Sequence, residues 1–358
     1  MHGDGVRRTA IAALCGAGLL AACSGGGGSA PSIGSTPGPS ASPVASASPV
    51  VSASPRPSAS PPAAPTATPA ASATPAGNVP AIGGCQMFPA SNPWNTDISG
   101  YPLNADSAQY MAEMNPSGST HLHPDFGSDP SYGIPYNVVA IAHANFTPIA
   151  FTEYASQSDP GPYPIPNSPA IEAGSDMHML ILDTDNCTDY ETYDTQDTAS
   201  GWTAANGAVW PLNTNALRPE GWTSADAAGL PILAGLVRYD EVQAGALNHA
   251  VRFTMNNTSQ GHIHPATHDA ATSSATWAPP MGLRIRLKAS YDTSGFTGNS
   301  LVILTAFKKY GLILADNGSD FYFTGSTNTS WNDNDLNQLK SVPASAFEVV
   351  ATGPVITP

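Results

Sequence analysis

Histidines, carboxyl groups and one stripe of basic side chains are the residue types in this 358-residue chain that could do chemistry. Three of its nine histidines, His262, His264 and His268, fall in the run His-Ile-His-Pro-Ala-Thr-His. On a strand, residues two apart share a face, so His262 and His264 would reach one metal ion. His268 as third ligand would leave a coordination position open for water, as in a catalytic zinc site. A divalent metal is therefore the one cofactor that the sequence suggests. Pro265 breaks such a strand at once, and the competing reading is a polar loop of unligated histidines. The run His121-Leu122-His123-Pro124-Asp125 repeats the pattern and carries the same two readings.

A second constellation places carboxylates and histidines near strand ends. Glu172, Asp176 and His178 precede an apolar strand, His249 opens another, and Asp316 sits beside a turn. Glycoside hydrolysis needs two carboxyl groups across a sugar, one protonated by its surroundings and one ionised. Asp176 and His178 would share a strand face as an acid-base or orienting pair. Asp176, His178, His249 and Asp316 are accordingly the candidate catalytic residues. The structural alternatives are an Asp316 that only caps an Asn-Gly turn, and a His249 that is a satisfied core residue in phase with Val251 and Phe253.

Alternation in Leu283-Arg284-Ile285-Arg286-Leu287-Lys288 puts Arg284, Arg286 and Lys288 on one face. Such a stripe would bind uronate carboxylates in a polysaccharide lyase, or would pair with acidic neighbours on a solvated face. Trp222 and the other tryptophans offer stacking surface for sugars, although large aromatics are first of all core residues. The chain contains no phosphate loop, dinucleotide fingerprint, HExxH zinc helix or Gly-x-Ser-x-Gly elbow.

The elements that must position these groups are mostly short strands. Candidates are Tyr136 to Ala142, Met177 to Asp183, Val237 to Tyr239, Ala250 to Met255, Leu283 to Lys288 and Leu312 to Ala315. Met177 to Leu182 is apolar on both faces and reads as a central strand of a covered sheet. The clearest helix is Ser300 to Tyr310, capped by Asn299 or Ser300, with Ile303, Ala306, Phe307 and Tyr310 on one face and Gly311 at its end. Shorter helices are expected at Ala105 to Met114, Asp240 to Leu247 and Asp333 to Lys340. Asp316-Asn317-Gly318 predicts a hairpin between Leu312 to Ala315 and Phe321 to Thr324. The fold class that fits is α+β, mainly β, with a β-sandwich or jelly-roll-like core and a few short helices.

The N-terminus has a different character. Arg7 and Arg8 precede an apolar run from Ala10 to Ala22, about 13 residues against the roughly 20 needed to span a bilayer. That run, closed by Leu20-Ala21-Ala22-Cys23, resembles a bacterial lipoprotein signal. The resemblance implies removal of residues 1–22, lipidation of Cys23, and a domain displayed outside the cytoplasm on the cell envelope, with the membrane as a partner through that lipid. Residues 23–84 then form a Pro/Ala/Ser/Thr-rich tether with too few large apolar side chains to fold.

Residues 85–358 are left as a single globular domain. Removing Arg7, Arg8 and Arg56 from the 12 basic residues and Asp4 from the 27 acidic ones leaves nine against 26, a net charge of −17 on that domain. Such a field argues against a nucleic-acid partner. Of the four cysteines, Cys15 leaves with the signal and Cys23 carries lipid, so Cys85 and Cys187 are expected to pair in an oxidising compartment.

The blocks NPWNTD (Asn92 to Asp97), YGIPY (Tyr132 to Tyr136), SDPGPYPIP (Ser158 to Pro166), GWTSADAAGLPILAGLVRYDEV (Gly221 to Val242) and KKYGLILADNGS (Lys308 to Ser319) resemble an uncharacterised group of secreted microbial proteins. That group has no established activity, so the resemblance assigns no catalytic residue. Three functions therefore stand as expectations. The first is a surface-anchored enzyme acting on extracellular polysaccharide, a glycoside hydrolase or a polysaccharide lyase, with Arg284, Arg286 and Trp222 binding substrate. The second is a carbohydrate-binding or structural surface lipoprotein without catalysis. The third is a metal protein using His262, His264 and His268.

Overall fold

Met179–Asp183 is the strand on which the architecture turns, because it has no polar face to offer water. All five of its residues are buried. The computed structural model describes residues 79–140, 142 and 144–357, and the lipidation position Cys23, the signal and nearly all of the tether lie outside the described residues. Met179–Asp183 lies between Thr188–Tyr193 and Tyr136–Val139 in a four-stranded sheet completed by Asn206–Pro211. Leu180 and Leu182 face the large core, while Met179 and Ile181 face a second cluster with Tyr163, Val139 and Ile165. Both faces are covered, as a run without alternation requires.

A six-stranded sheet runs in the order Phe347–Val349, Arg284–Leu287, Leu312–Asn317, Val251–Met255, Tyr322–Phe323, His123–Pro124. Its Ile285, Phe253, Leu312 and Leu314 share the large core with Leu180 and Leu182 of the other sheet. The molecule is thus α+β and mainly β, with its larger sheets joined by one apolar interior and its helices short.

The expected hairpin after Gly311 is not formed. Leu312–Asn317 and Tyr322–Phe323 both exist, but Val251–Met255 lies between them, parallel to the first and antiparallel to the second. The Asn-Gly segment instead carries the chain over the end of that strand, with Gly318 N–H donating to Met255 O at 3.1 Å and Phe321 N–H to Thr254 O at 3.2 Å. Turn chemistry favoured local pairing, and burial of an apolar central strand outweighed it.

The helix expected from Ser300 runs over Gly298–Lys309 and buries Ile303, Leu304, Ala306 and Phe307. Its cap comes from elsewhere in the chain. Asp335 Oδ2 accepts from Asn299 N–H at 2.7 Å and Oδ1 from Ser300 N–H at 3.2 Å. A carboxylate on exposed helix amides satisfies both the donors and the dipole. Asp335→Ala is expected to lower the unfolding free energy by about 1 kcal/mol, readable as a shift in urea midpoint. The short helices Ser107–Met114 and Asp333–Leu336 fall within the expected windows and Tyr239–Gln243 overlaps the third, starting one residue before it; each is shorter than predicted.

Folded structure begins before Cys85, because Ala81–Ile82 pairs with Cys85–Gln86 and Ile82 is buried. Cys85 and Cys187 form a disulfide with Cα atoms 5.3 Å apart and a sequence separation of 102. On the chain-entropy model a loop of that length stabilises by about 4 to 5 kcal/mol. It pins the N-terminal strand pair to the turn that feeds Thr188–Tyr193.

Candidate active site

A cation stands on an otherwise apolar strand at Val251–Met255, where Val251, Phe253 and Met255 pack into the core and Arg252 is also buried. An ionised guanidinium there requires partners, and it has them. Arg252 Nε donates to Asp226 Oδ2 at 2.9 Å and Nη2 to Asp226 Oδ1 at 2.6 Å, a two-pronged pair with a fully buried carboxylate. Nη1 donates to Thr324 Oγ1 at 2.7 Å, and Nη2 lies 3.5 Å from Asp316 Oδ2.

Asp316 arrives from the neighbouring strand Leu312–Asn317, opposite Thr254 and just beyond a register shift between Phe253 and Thr254. Its side chain keeps 27% of its surface open, whereas Asp226 has none. Removal from water and the adjacent Asp226 charge push the Asp316 carboxyl well above the usual carboxylate range, against the pull of Arg252. Two acids in one site cannot both ionise cheaply, so Asp316 keeps its proton and shares a hydrogen bond with Asp226. The result is a neutral, partly exposed acid beside an ionised, buried one.

His178 borders this pair from the other sheet, one residue before Met179–Asp183. Its Nε2 donates to Ala225 O at 3.0 Å, because a carbonyl can only accept. Its Nδ1 faces Glu172 Oε2 at 2.5 Å. Burial favours the neutral ring, but the Glu172 hydrogen bond and charge outweigh it and hold the His178 pKa above its ordinary value. Tyr193, at the end of Thr188–Tyr193, has its ring centroid 5.6 Å from that of His178. Burial and the surrounding carboxylates, Asp176 and Asp316 first among them, push its hydroxyl up to about 12, so it stays a neutral donor.

A stability prediction follows from His178. A folded pKa above the unfolded 6.5 means that the charged ring's contribution is complete below about pH 6.5. It is lost as pH rises through the folded value. Urea midpoints of the native protein are expected to fall over that window, and those of His178→Gln to fall less. Equal slopes for the two proteins would exclude a charged His178 in the folded state.

The four residues expected to be catalytic separate. His178 and Asp316 meet in this cluster. Asp176 is exposed, and close enough to raise both His178 and Tyr193. The shared strand face expected for Asp176 and His178 does not exist, because the strand begins at Met179 and Met177 has a positive φ of 46°. His249 lies elsewhere. It is buried, with Nδ1 2.6 Å from Ala250 O and Nε2 3.2 Å from Glu241 Oε2, while Glu241 also pairs with Arg238 at 2.6 Å.

The basic stripe is consumed by the fold. Arg284 is buried and donates to carbonyls of Pro93, Thr96 and Tyr310, and burial pushes its pKa down to about 9. Arg286 pairs with Glu348 at 2.8 Å and donates to carbonyls of Ile98, Ser99 and Tyr101. Lys288 Nζ donates to Ser345 O. Trp222 lies 5.5 Å from the Arg218 guanidinium, as does Trp210, and Arg218 is itself paired with Asp159 at 2.6 Å. His262 and His264 converge on Glu220, whereas His268 Nδ1 bonds to Ala227 O at 2.8 Å.

Asp226, Arg252 and Tyr193 were not singled out from the sequence. Arg252 left a trace there, since a lone charge in Ala-Val-Arg-Phe-Thr-Met implies a buried counter-ion. Nothing local identified Asp226 as that partner. A further buried acid pair, Asp189 and Glu191, shows why exposure decides between candidates. Burial raises both, Glu191 accepts from Ile232 N–H, Leu233 N–H and Trp210 Nε1–H, and neither is open to solvent. No substrate can reach them.

No family model matches this chain, and no curated protein or solved structure matches it.

Proposed function

We propose that the protein is an exported, lipid-anchored hydrolase of extracellular glycans, with Asp316 as its general acid. The observation that supports this reading is the pairing of a neutral, partly open carboxyl at Asp316 with the ionised Asp226 that Arg252 holds in place. Glycoside cleavage requires a carboxylic acid that keeps its proton near neutrality, and environment rather than residue type supplies it. Asp226 is wholly buried and its oxygens are committed to Arg252, so it tunes Asp316 rather than meeting substrate. Asp176, which is exposed, and Glu172, which is partly exposed beside His178, are the carboxylates available as base or nucleophile. His178 positions Glu172, and Tyr193 supplies a neutral donor.

Hydrolysis is favoured over elimination because Arg284 and Arg286 have their donors engaged by carbonyls and Glu348, leaving no cationic stripe to neutralise a uronate. The test is a turnover screen against neutral and uronic-acid polysaccharides, reading reducing ends and the absorbance of unsaturated products. Reducing ends alone are the expected result. Unsaturated products would point to a lyase, and silence from folded protein across the panel would favour a binding role.

A further inference from the structure

The loop carrying three histidines does hold a metal-like donor set, but with a different third member from the one its spacing suggests. His262 Nε2 lies 2.8 Å from Glu220 Oε2, and His264 Nε2 lies 2.5 Å from Glu220 Oε1. The two imidazole nitrogens and the carboxylate oxygen all lie within 4.8 Å of one another. Among the described residues this is the one grouping of three or more His, Cys, Asp or Glu side chains with that spacing.

We propose that Glu220, His262 and His264 form a binding site for a divalent transition metal of the zinc class, independent of the centre at Asp316. Two imidazoles and one carboxylate are a borderline-soft donor set that suits such an ion rather than calcium or magnesium, which take oxygen ligands. Zinc bonds to nitrogen and to carboxylate oxygen are about 2.0 to 2.2 Å, so ligand atoms around one ion stand somewhat over 3 Å apart. The present spacings require only that the Glu220 carboxylate withdraw by a fraction of an ångström or so.

The scaffold permits that adjustment at one ligand and restrains it at another. His262 is buried, and its backbone is held on both sides, by Ile356 through reciprocal bonds of 2.9 and 2.8 Å and by Met281 through the next residue at 2.8 Å. The Glu220 segment is tied to the histidine loop by Gly221 N–H on Thr267 O at 2.7 Å and by Thr267 Oγ1–H on Trp222 O at 2.9 Å. The Glu220 side chain itself is 54% exposed and that of His264 is 47% exposed, so both can adjust, and the remaining coordination positions open to water. Three protein ligands with open positions is the arrangement of catalytic rather than structural zinc.

The experiment is titration of the purified, chelator-treated protein with Zn2+ by calorimetry and with Co2+ by visible absorption. One ion per chain is expected, with the d–d bands of a nitrogen- and oxygen-ligated cobalt. Glu220→Gln and His264→Ala alter exposed side chains and leave the circular dichroism unchanged. Each is expected to weaken binding by more than the ~10- to 100-fold that loss of a supporting outer-sphere partner costs. His268→Ala is expected to bind as the native protein does. Absence of a stoichiometric site for either ion would overturn the assignment, as would His268→Ala weakening binding as much as His264→Ala.

Discussion

Asp316→Asn is expected to reduce glycan turnover by about 10²- to 10⁴-fold, the usual contribution of a positioned acid. The substitution is nearly isosteric, and the new amide can donate to Asp226 where the carboxylic acid did, so the fold should be retained. Its effect should fall on kcat, because the proton is delivered in the transition state and not on binding. In the native protein the alkaline limb of the pH profile should report loss of the Asp316 proton, at a pH well above an ordinary carboxylate's. Turnover in Asp316→Asn within a few-fold of native would remove Asp316 from the mechanism and move attention to Glu172 and His178.

Arg252→Met should cost about 3 to 5 kcal/mol of stability, the range for breaking a buried ion pair by removing one partner. Met replaces the aliphatic stem, so the loss arises mostly from the charge left behind. Asp226 is fully buried, each of its two oxygens loses the hydrogen bond that Arg252 donates, and Asp316 stands next to it. The double variant Asp226→Asn, Arg252→Met should recover much of that loss, since removing both charges is far cheaper than removing one. Urea denaturation of the four proteins in the cycle gives the coupling directly. A loss below about 1 kcal/mol in the single variant would show that water or a relaxed strand compensates Asp226, and the site would not be the pre-set acid pair described above.

The parts of this molecule legible in its sequence are those decided by local pattern. Met179–Asp183 announced a doubly covered strand because it never alternates, and Gly298–Lys309 announced itself through its apolar face and the glycine that ends it. The Asn-Gly turn failed as a hairpin signal because the strand that displaced Tyr322–Phe323, Val251–Met255, comes from far earlier in the chain. The site divides the same way. His178 and Asp316 could be picked out as polar residues at the ends of apolar strands. Their meeting could not, because it involves Arg252 and Asp226, residues 26 apart, one on a strand and the other in an irregular segment. Glu220 was invisible for the same reason, at 42 and 44 positions from the histidines it joins. Residue type and spacing drew attention to some of these polar residues, and long-range pairing decided which of them meet.

The most direct measurement is the titration of Asp316 itself, by carboxyl ¹³C resonance in selectively labelled protein compared with Asp226→Asn. The account predicts a native Asp316 that remains protonated well above the ~3.9 of an unperturbed aspartate, and one that ionises at lower pH when Asp226 loses its charge while Arg252 keeps its own. An Asp316 that titrates as an ordinary surface aspartate in both proteins would contradict it.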